Sequence, residues 1–188
     1  KKTLTTTSNV PSDMLVMAFH MPGKFDEDYI ATDLLSDILG REKSSRLYNE
    51  LIRKEEIFTS ISCYVTGSID PGLLVINGKL TNGVSPEEGE NHVWRVINEL
   101  INEGLSTGEL NKVKKQAEST IAFGEVEVLN RAMNLAYCAL SGNTAIVNEE
   151  VEMVQKVSEK DVLQLANAIL TEKNASVLYY KAQDLNEN

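Results

Sequence analysis

Residues 58–81 read FTSISCYVTGSIDPGLLVINGKLT, and this stretch decides what kind of sheet the protein builds. Successive side chains of a strand alternate between its faces. Ile61, Cys63 and Val65 therefore share one face of a strand over 58–66, and Leu74, Ile76 and Leu80 share one face of a second over 73–81. Between them "GSIDPG" is turn chemistry, in which Pro71 fixes φ and the next residue is a glycine. Strands joined by so short a loop pair as an antiparallel hairpin.

Upstream, "SSRLYNELIRKE" (44–55) predicts a helix with Ser44 or Ser45 as N-cap and Leu47, Leu51 and Ile52 as its apolar stripe. Another helix is predicted from Asp26 as N-cap through Ile30, Leu34, Leu35 and Ile38 to Gly40 as the residue that stops it. "DMLVMAFHMPG" (13–23) is apolar on both faces, Leu15, Met17 and Phe19 against Met14, Val16 and Ala18, and predicts a strand covered on both sides.

Downstream, the period becomes helical from Ser85 to Leu170. Three capping-box sequences open helices there, at Ser85–Glu88, Ser106–Glu109 and Ser158–Asp161. Val93, Val96, Ile97, Leu100 and Ile101 form a stripe that Gly104 ends, Leu110, Val113, Ala117 and Ile121 a second, and further apolar stretches follow at 128–139, 147–157 and 162–170. "ASVLYYKA" (175–182) closes as a strand. The predicted order is β-α-α-β-β-α-α-α-α-β, an α+β fold with a mainly antiparallel sheet and helices packed on one face, in a single domain over 1–188.

Composition narrows the function. A 42% hydrophobic, 24% charged chain of 188 residues is globular. Its formal net charge of -10, from 18 Lys+Arg against 28 Asp+Glu, argues against nucleic acid as a partner. No apolar run is long enough to span a membrane. The chain begins Lys1-Lys2, without an initiator methionine, which suggests a piece of a longer protein.

Catalytic patterns are missing from the residues themselves. His20 and His92 are the two histidines, and neither belongs to an H-x-x-E-H, H-E-x-x-H or C-x-x-C spacing, so no metal ligand set is expected in this chain. Cys63 and Cys138 sit in apolar periodic segments and read as small buried hydrophobes. There is no nucleophile elbow or phosphate loop, the serine pair at 44 and 45 has capping to do, and acidic pairs such as Glu87-Glu88 sit in helix first turns, where the helix dipole favours them.

The stretch from "LLSDILGREKSSRLYNELIRKEEIFTS" through the hairpin, with the order of elements, resembles the insulinase/pitrilysin family of zinc metallopeptidases, and within it the non-catalytic, C-terminal (inactive) domain. The family's run is a helix ending in Leu-Gly, then Ser-Ser-Arg-Leu-Phe/Tyr, then a leucine-arginine-glutamate-lysine segment entering Leu-Ala-Tyr-Ser-Val. Here the matching residues are Leu39-Gly40, Ser44-Ser45-Arg46-Leu47-Tyr48, Ile52-Arg53-Lys54-Glu55 and Ile57-Phe58-Thr59-Ser60-Ile61.

The resemblance implies a substrate-binding, non-catalytic domain that helps enclose a peptide between two half-shells. Its implied partner is a homologous zinc-bearing domain, in the same protein or in another subunit, so zinc belongs there and no cofactor to this chain. It also implies that the chain alone is not an enzyme, whereas the protein it is part of is a zinc metallopeptidase. A non-proteolytic scaffold or binding subunit of the same descent is the alternative.

Active members supply an arginine and, seven residues later, a tyrosine to the peptide. Arg53 matches the arginine, and either Ser60 or Thr59 stands at the tyrosine, depending on a one-residue gap. Tyr64 shares the face of Ser60 but lies about 13 Å along the strand. In an α-helix Tyr48 would point about 140° away from Arg53. Arg46 is expected to pair with Glu50, four residues on.

Overall fold

The protein's structure, a computed structural model, describes residues 1–183, and of Thr107 the backbone alone. Five strands, β1 (Lys2–Ser8), β2 (Met14–Met21), β3 (Phe58–Val65), β4 (Gly72–Leu80) and β5 (Ala175–Ala182), form one sheet in the order β1-β5-β2-β4-β3. All pairs are antiparallel except β1 with β5. Six α-helices accompany it: α1 (Tyr29–Gly40), α2 (Pro86–Glu103), α3 (Thr107–Gly124), α4 (Val128–Leu140), α5 (Ile146–Lys156) and α6 (Glu159–Ile169). The α+β class, the antiparallel hairpin and the helices on one face are as the sequence predicts.

One hydrophobic core holds these layers together. Leu15, Met17, Phe19 and Met21 of β2, Leu74, Ile76 and Leu80 of β4, and Val177 and Tyr179 of β5 point into it. From above, the helices supply Leu34, Leu35 and Leu39 of α1, Val93, Val96, Ile97 and Leu100 of α2, and Val162 and Ala166 of α6. Phe19 meets Trp94 edge to face, with ring centroids 5.8 Å apart at 88°.

The caps form where the sequence places them. Ser106 and Ser158 complete reciprocal capping boxes with Glu109 and Asp161, while Ser85 accepts from the Glu88 amide at 3.1 Å. Gly104 follows α2 with a φ of 81°, in the left-handed region that suits glycine.

Several expectations are corrected. Strand β1 has no forecast, since KTLTTTS carries no hydrophobic alternation and its only partner, β5, lies at the other end of the chain. The helical block holds five helices, not four, and the two hardest to delimit, α4 and α5, start without a side-chain cap. Asp28, not Asp26, precedes α1, because the Asp26 carboxylate turns back to accept from the Gly23 amide at 2.7 Å. Gly40 is the last residue of α1, not the residue after it. Its role there is close approach to β3.

Strand β2 is covered by helices on one side only, and its Met14, Val16 and Ala18 remain half-buried. Helix α4 is turned outward. Val128, Leu129 and Leu140 are 84%, 69% and 74% exposed, while Asn130, Met133, Asn134, Tyr137 and Cys138 line a cavity.

The segment after Ser45 is a π-helix over Tyr48–Lys54, not an α-helix. Ser45 caps it with its carbonyl, which accepts from the Asn49 amide at 3.0 Å, but its hydroxyl is buried without a partner. Ser44's hydroxyl accepts from Lys112 Nζ at 2.8 Å.

Candidate functional site: the open face of the sheet

The side of the sheet opposite the helices is a continuous surface. Strand register aligns Ser60, Lys79, Met14, Tyr180 and Thr6 in one row across it, and Ser62, Asn77, Val16, Leu178 and Leu4 in the next. The β3 and β4 positions of these rows are thus polar, and the β2 positions are apolar. Ser62 donates to Asn77 Oδ1 at 2.9 Å, so part of the polar content is already spent internally.

None of the outward-facing residues of the five strands is acidic, although the chain carries a formal net charge of -10. The basic groups Lys2, His20 and Lys79 do lie on this face. Such a surface keeps negative charge away from whatever lies against it, and its half-buried apolar groups offer area for contact.

At the β3 edge lie two of the residues singled out from the sequence, Thr59 and Ser60. A bulge between Phe58 and Ser60 inserts Thr59 as an unpaired extra residue, and both Thr59 and Ser60 are exposed. The uncertainty of one residue between them thus corresponds to a physical feature of the strand. Thr59 donates its hydroxyl to the Lys79 carbonyl at 3.1 Å, whereas Ser60 sits on the open face. Tyr64 shares that face, opposite Val75.

Arg53 stands at the end of the π-helix and is exposed. Its Nη1 lies 3.4 Å from Asn49 Oδ1, and the nearby Glu50 is taken by Lys54 at 2.6 Å. Arg53 is thus held only loosely, with its charge uncommitted among the described residues. The π-helix also changes the role open to Tyr48. Bonds from residue i to i+5, such as the Glu55 amide to the Glu50 carbonyl at 3.1 Å, bring residues five apart closer to one side, so the α-helical separation of about 140° between Tyr48 and Arg53 does not apply.

The end of this segment is firmly anchored. Glu55 accepts from Arg95 Nη2 at 2.5 Å and meets His92 Nδ1 at 2.7 Å, and Arg95 continues to Glu99 at 2.6 Å. Glu56 has a φ of 55°, a left-handed conformation costing a non-glycine residue about 1 kcal/mol. The Thr81 hydroxyl donating to its carbonyl at 2.6 Å, and the Ile57 amide donating to the Leu51 carbonyl at 2.9 Å, hold it there. Backbone strain of this kind is retained where surrounding contacts over-determine it.

Arg46 does not pair with Glu50. It forms two bonds to Glu109, Nε at 2.7 Å and Nη2 at 2.8 Å, and a third to the Gly104 carbonyl at 2.8 Å, tying the start of the segment to the α2–α3 junction. Local spacing favoured Glu50, but a planar guanidinium gains more from a two-bonded carboxylate and a free helix-end carbonyl. The Arg46 guanidinium and burial act in opposite senses on Glu109, and with the Ser106 bonds the net result holds its carboxyl down at about 2.

The stability Glu109 contributes is therefore present above its unfolded value near 4.5 and lost as pH falls towards 2. Arg46→Ala should cost about 2 kcal/mol at pH 7 and progressively less towards pH 2, measured by urea unfolding at a series of pH values. A cost independent of pH would refute the coupling.

No metal ligand set is assembled. Among the described residues, no group of three or more His, Cys, Asp or Glu is placed to hold a metal ion. His92 is engaged by Glu55, His20 is at the far end of β2, and Cys63 is buried where desolvation pushes its thiol well above the ordinary range. No described helix is long and apolar enough to cross a membrane.

Comparison with known proteins adds family and fold. Residues 2–117 match the family model described as the peptidase M16 inactive domain. No curated protein is similar enough in sequence to count as a relative. Among solved structures, a protease from Helicobacter pylori superposes with a TM-score of 0.88 at 17% identity, over 95% of this chain and 43% of that one.

An inactive peptidase domain from Bordetella parapertussis gives 0.83 at 19% identity, over 93% and 95% of the two chains. A peptidase M16 inactive domain from Pseudomonas fluorescens gives 0.83 at 17%, over 100% and 44%. At these identities the likeness is one of fold. The chain spans less than half the length of the first and third.

Proposed function

The chain belongs to the peptidase M16 inactive-domain family, and on that premise we propose that it is a substrate-binding, non-catalytic domain of a zinc metalloendopeptidase. Residues 1–188 form one domain, whose open sheet face closes one side of a peptide-holding space. A homologous domain carrying the zinc closes the other, either in the same protein or as a partner subunit. In this reading Arg53, Ser60 and Thr59 contact the peptide at the β3 edge.

The observation that carries the proposal is the open face itself, which is wide and partly apolar and to which the strands contribute no carboxylate. Backbone carbonyls of an extended peptide are acceptors, so lysine, arginine and hydroxyl donors suit them and carboxylates would repel them.

The isolated chain, supplied with zinc, should not turn over peptides. Combined with its zinc-bearing partner domain it should support turnover, and Arg53→Ala in that assembly should lower kcat/KM by about 5- to 100-fold, or about 1–3 kcal/mol. Zinc-dependent turnover by the chain alone would sink the proposal. An unchanged kcat/KM in the variant would remove Arg53 from the contact set.

One observation favours a second reading, a non-proteolytic scaffold or binding subunit of the same descent. The short hydroxyls of Thr59 and Ser60 stand where active members have a tyrosine, and that of Thr59 is already engaged by Lys79. An H-x-x-E-H domain encoded beside this one separates the two readings in favour of the protease.

A further inference from the structure

Helices α1, α3, α4 and α5 surround a cavity of about 530 Å3 on the helical side of the molecule. This volume lies within the range of small-molecule sites. No residue of the open sheet face lines it, so a ligand bound there is independent of the peptide-binding proposal. Ile30, Leu34, Ile121 and Met153 make an apolar wall. Five carboxylates also line it, Asp26, Glu27, Asp33, Glu125 and Glu150, together with the cations Lys24 and Arg41; Asp33 comes from α1 and Glu150 from α5.

Neither Asp33 nor Glu150 has a cation within ion-pair distance among the described residues. Arg41, the nearest guanidinium of α1, gives both its contacts to Asp37, at 2.9 and 3.1 Å. Lys24 holds its ammonium 5.4 Å from the centre of the Tyr137 ring, a cation–π contact that leaves the acids without a direct partner. The cavity thus combines apolar area with an excess of negative charge, its carboxylates outnumbering the cations Lys24 and Arg41.

Burial, above all, pushes Asp33 and Glu150 upward, against the weaker downward pull of Arg41 and then Lys24 on Asp33 and of Lys24 on Glu150. The Tyr29 hydroxyl beside them is pushed up to about 12, by burial first and then by Asp33 and Glu150. A positive charge placed in the cavity would relieve all three groups.

We propose that this cavity binds a small organic cation, an amidinium, guanidinium or primary ammonium on an apolar stem, with Asp33 and Glu150 as counter-charges and the aliphatic wall against the stem. A divalent metal ion is a poor fit, because calcium takes six to eight oxygen ligands and magnesium a tight octahedron, whereas much of this lining is hydrocarbon. Helix α4 supplies Met133, Tyr137 and Cys138 to the lining and leaves Val128, Leu129 and Leu140 exposed.

The test is titration calorimetry on the full chain with benzamidinium chloride, neutral benzamide as isostere, and guanidinium chloride as the charge without the stem. Benzamidinium should bind at least about tenfold more tightly than either control, since removing the charge or the stem removes one half of the recognition. Asp33→Asn with Glu150→Gln should weaken it at least about tenfold while leaving circular dichroism and thermal unfolding native-like, and each single variant should carry part of the loss.

A blocked hexapeptide with one central arginine distinguishes the source of the cation. Displacement of benzamidinium identifies a peptide side chain and lack of displacement a free small molecule, and the cation site stands in both cases. Benzamide binding as tightly as benzamidinium, a binding curve indifferent to the variants, or no heat up to millimolar benzamidinium would overturn the proposal.

Discussion

Gly40→Ala should destabilise the protein by more than about 3 kcal/mol, lowering the thermal midpoint by about 6–12 °C for a chain of this size. Helix α1 crosses β3 at this glycine so closely that an added Cβ would stand 2.3 Å from the Cys63 nitrogen and 2.5 Å from its Cβ. Neither atom belongs to a flexible side-chain end, so the methyl group cannot be accommodated by a rotamer change. The helix must move away from the strand, and with it Leu34, Leu35 and Leu39, all almost fully buried.

Gly124→Ala is the matched control, at the end of α3 where an added Cβ meets nothing within 4 Å. It should be neutral or slightly stabilising, because alanine favours the helix. Urea unfolding of both variants makes the comparison, and a Gly40→Ala cost below about 0.5 kcal/mol would show that α1 and β3 are not in this close contact.

Glu90→Ala should cost about 3 kcal/mol at pH 7. Glu90, on α2, is only 2% exposed, and its carboxylate accepts from Trp94 Nε1 at 2.9 Å, from Lys1 Nζ at 2.5 Å and from the Tyr179 hydroxyl. These bonds join α2 to β5 and to the start of the chain. Truncation leaves the tyrosine and indole donors buried without an acceptor, and a buried polar group costs most when it is orphaned.

Burial works to raise the Glu90 carboxyl, but the bonds from Lys1, Tyr179 and Trp94 outweigh it and hold it below the ordinary range. Its ionised form therefore stabilises the fold above the unfolded value near 4.5, and that contribution fades as pH falls through the lower folded value. Glu90→Gln, which keeps the shape, should accordingly lose less than alanine and converge on the unmodified protein in acid. Unfolding curves at pH 7 and at low pH test this, and a glutamine penalty that grows in acid would refute it.

The legible part of the fold was local. The 58–81 hairpin follows from alternation and a turn, and the stripes and caps of α2, α3 and α6 follow from spacing and from serines whose oxygens meet nearby amides. β1 was not legible because its strand character comes wholly from pairing with β5. The two-sided apolar pattern of Met14–Met21 was visible, yet it read as a strand buried on both sides when one of its sides lies on the open face.

The candidate site divides in the same way. Arg53, Thr59 and Ser60 were found by resemblance and spacing, since residue type and order are enough for that. The bulge at Thr59, the π-helix over Tyr48–Lys54, and the commitment of Arg46 to Glu109 were beyond it. Each depends on hydrogen bonds whose alternatives differ by a kcal/mol or so, and the packing of distant elements selects among them.

By itself, then, the sequence determined the class of fold, the hairpin, most helix boundaries and the want of metal-ligand spacing, because these depend on periodicity and on contacts within a few residues. The tertiary structure alone decided which face of the sheet stays open, which carboxylate Arg46 meets, how α4 is turned, and that Asp33 and Glu150 face one cavity with no direct ion pair among the described residues. Those outcomes rest on contacts between residues far apart in the chain, whose closure entropy and burial energy are set by the whole core and not by any one segment of it.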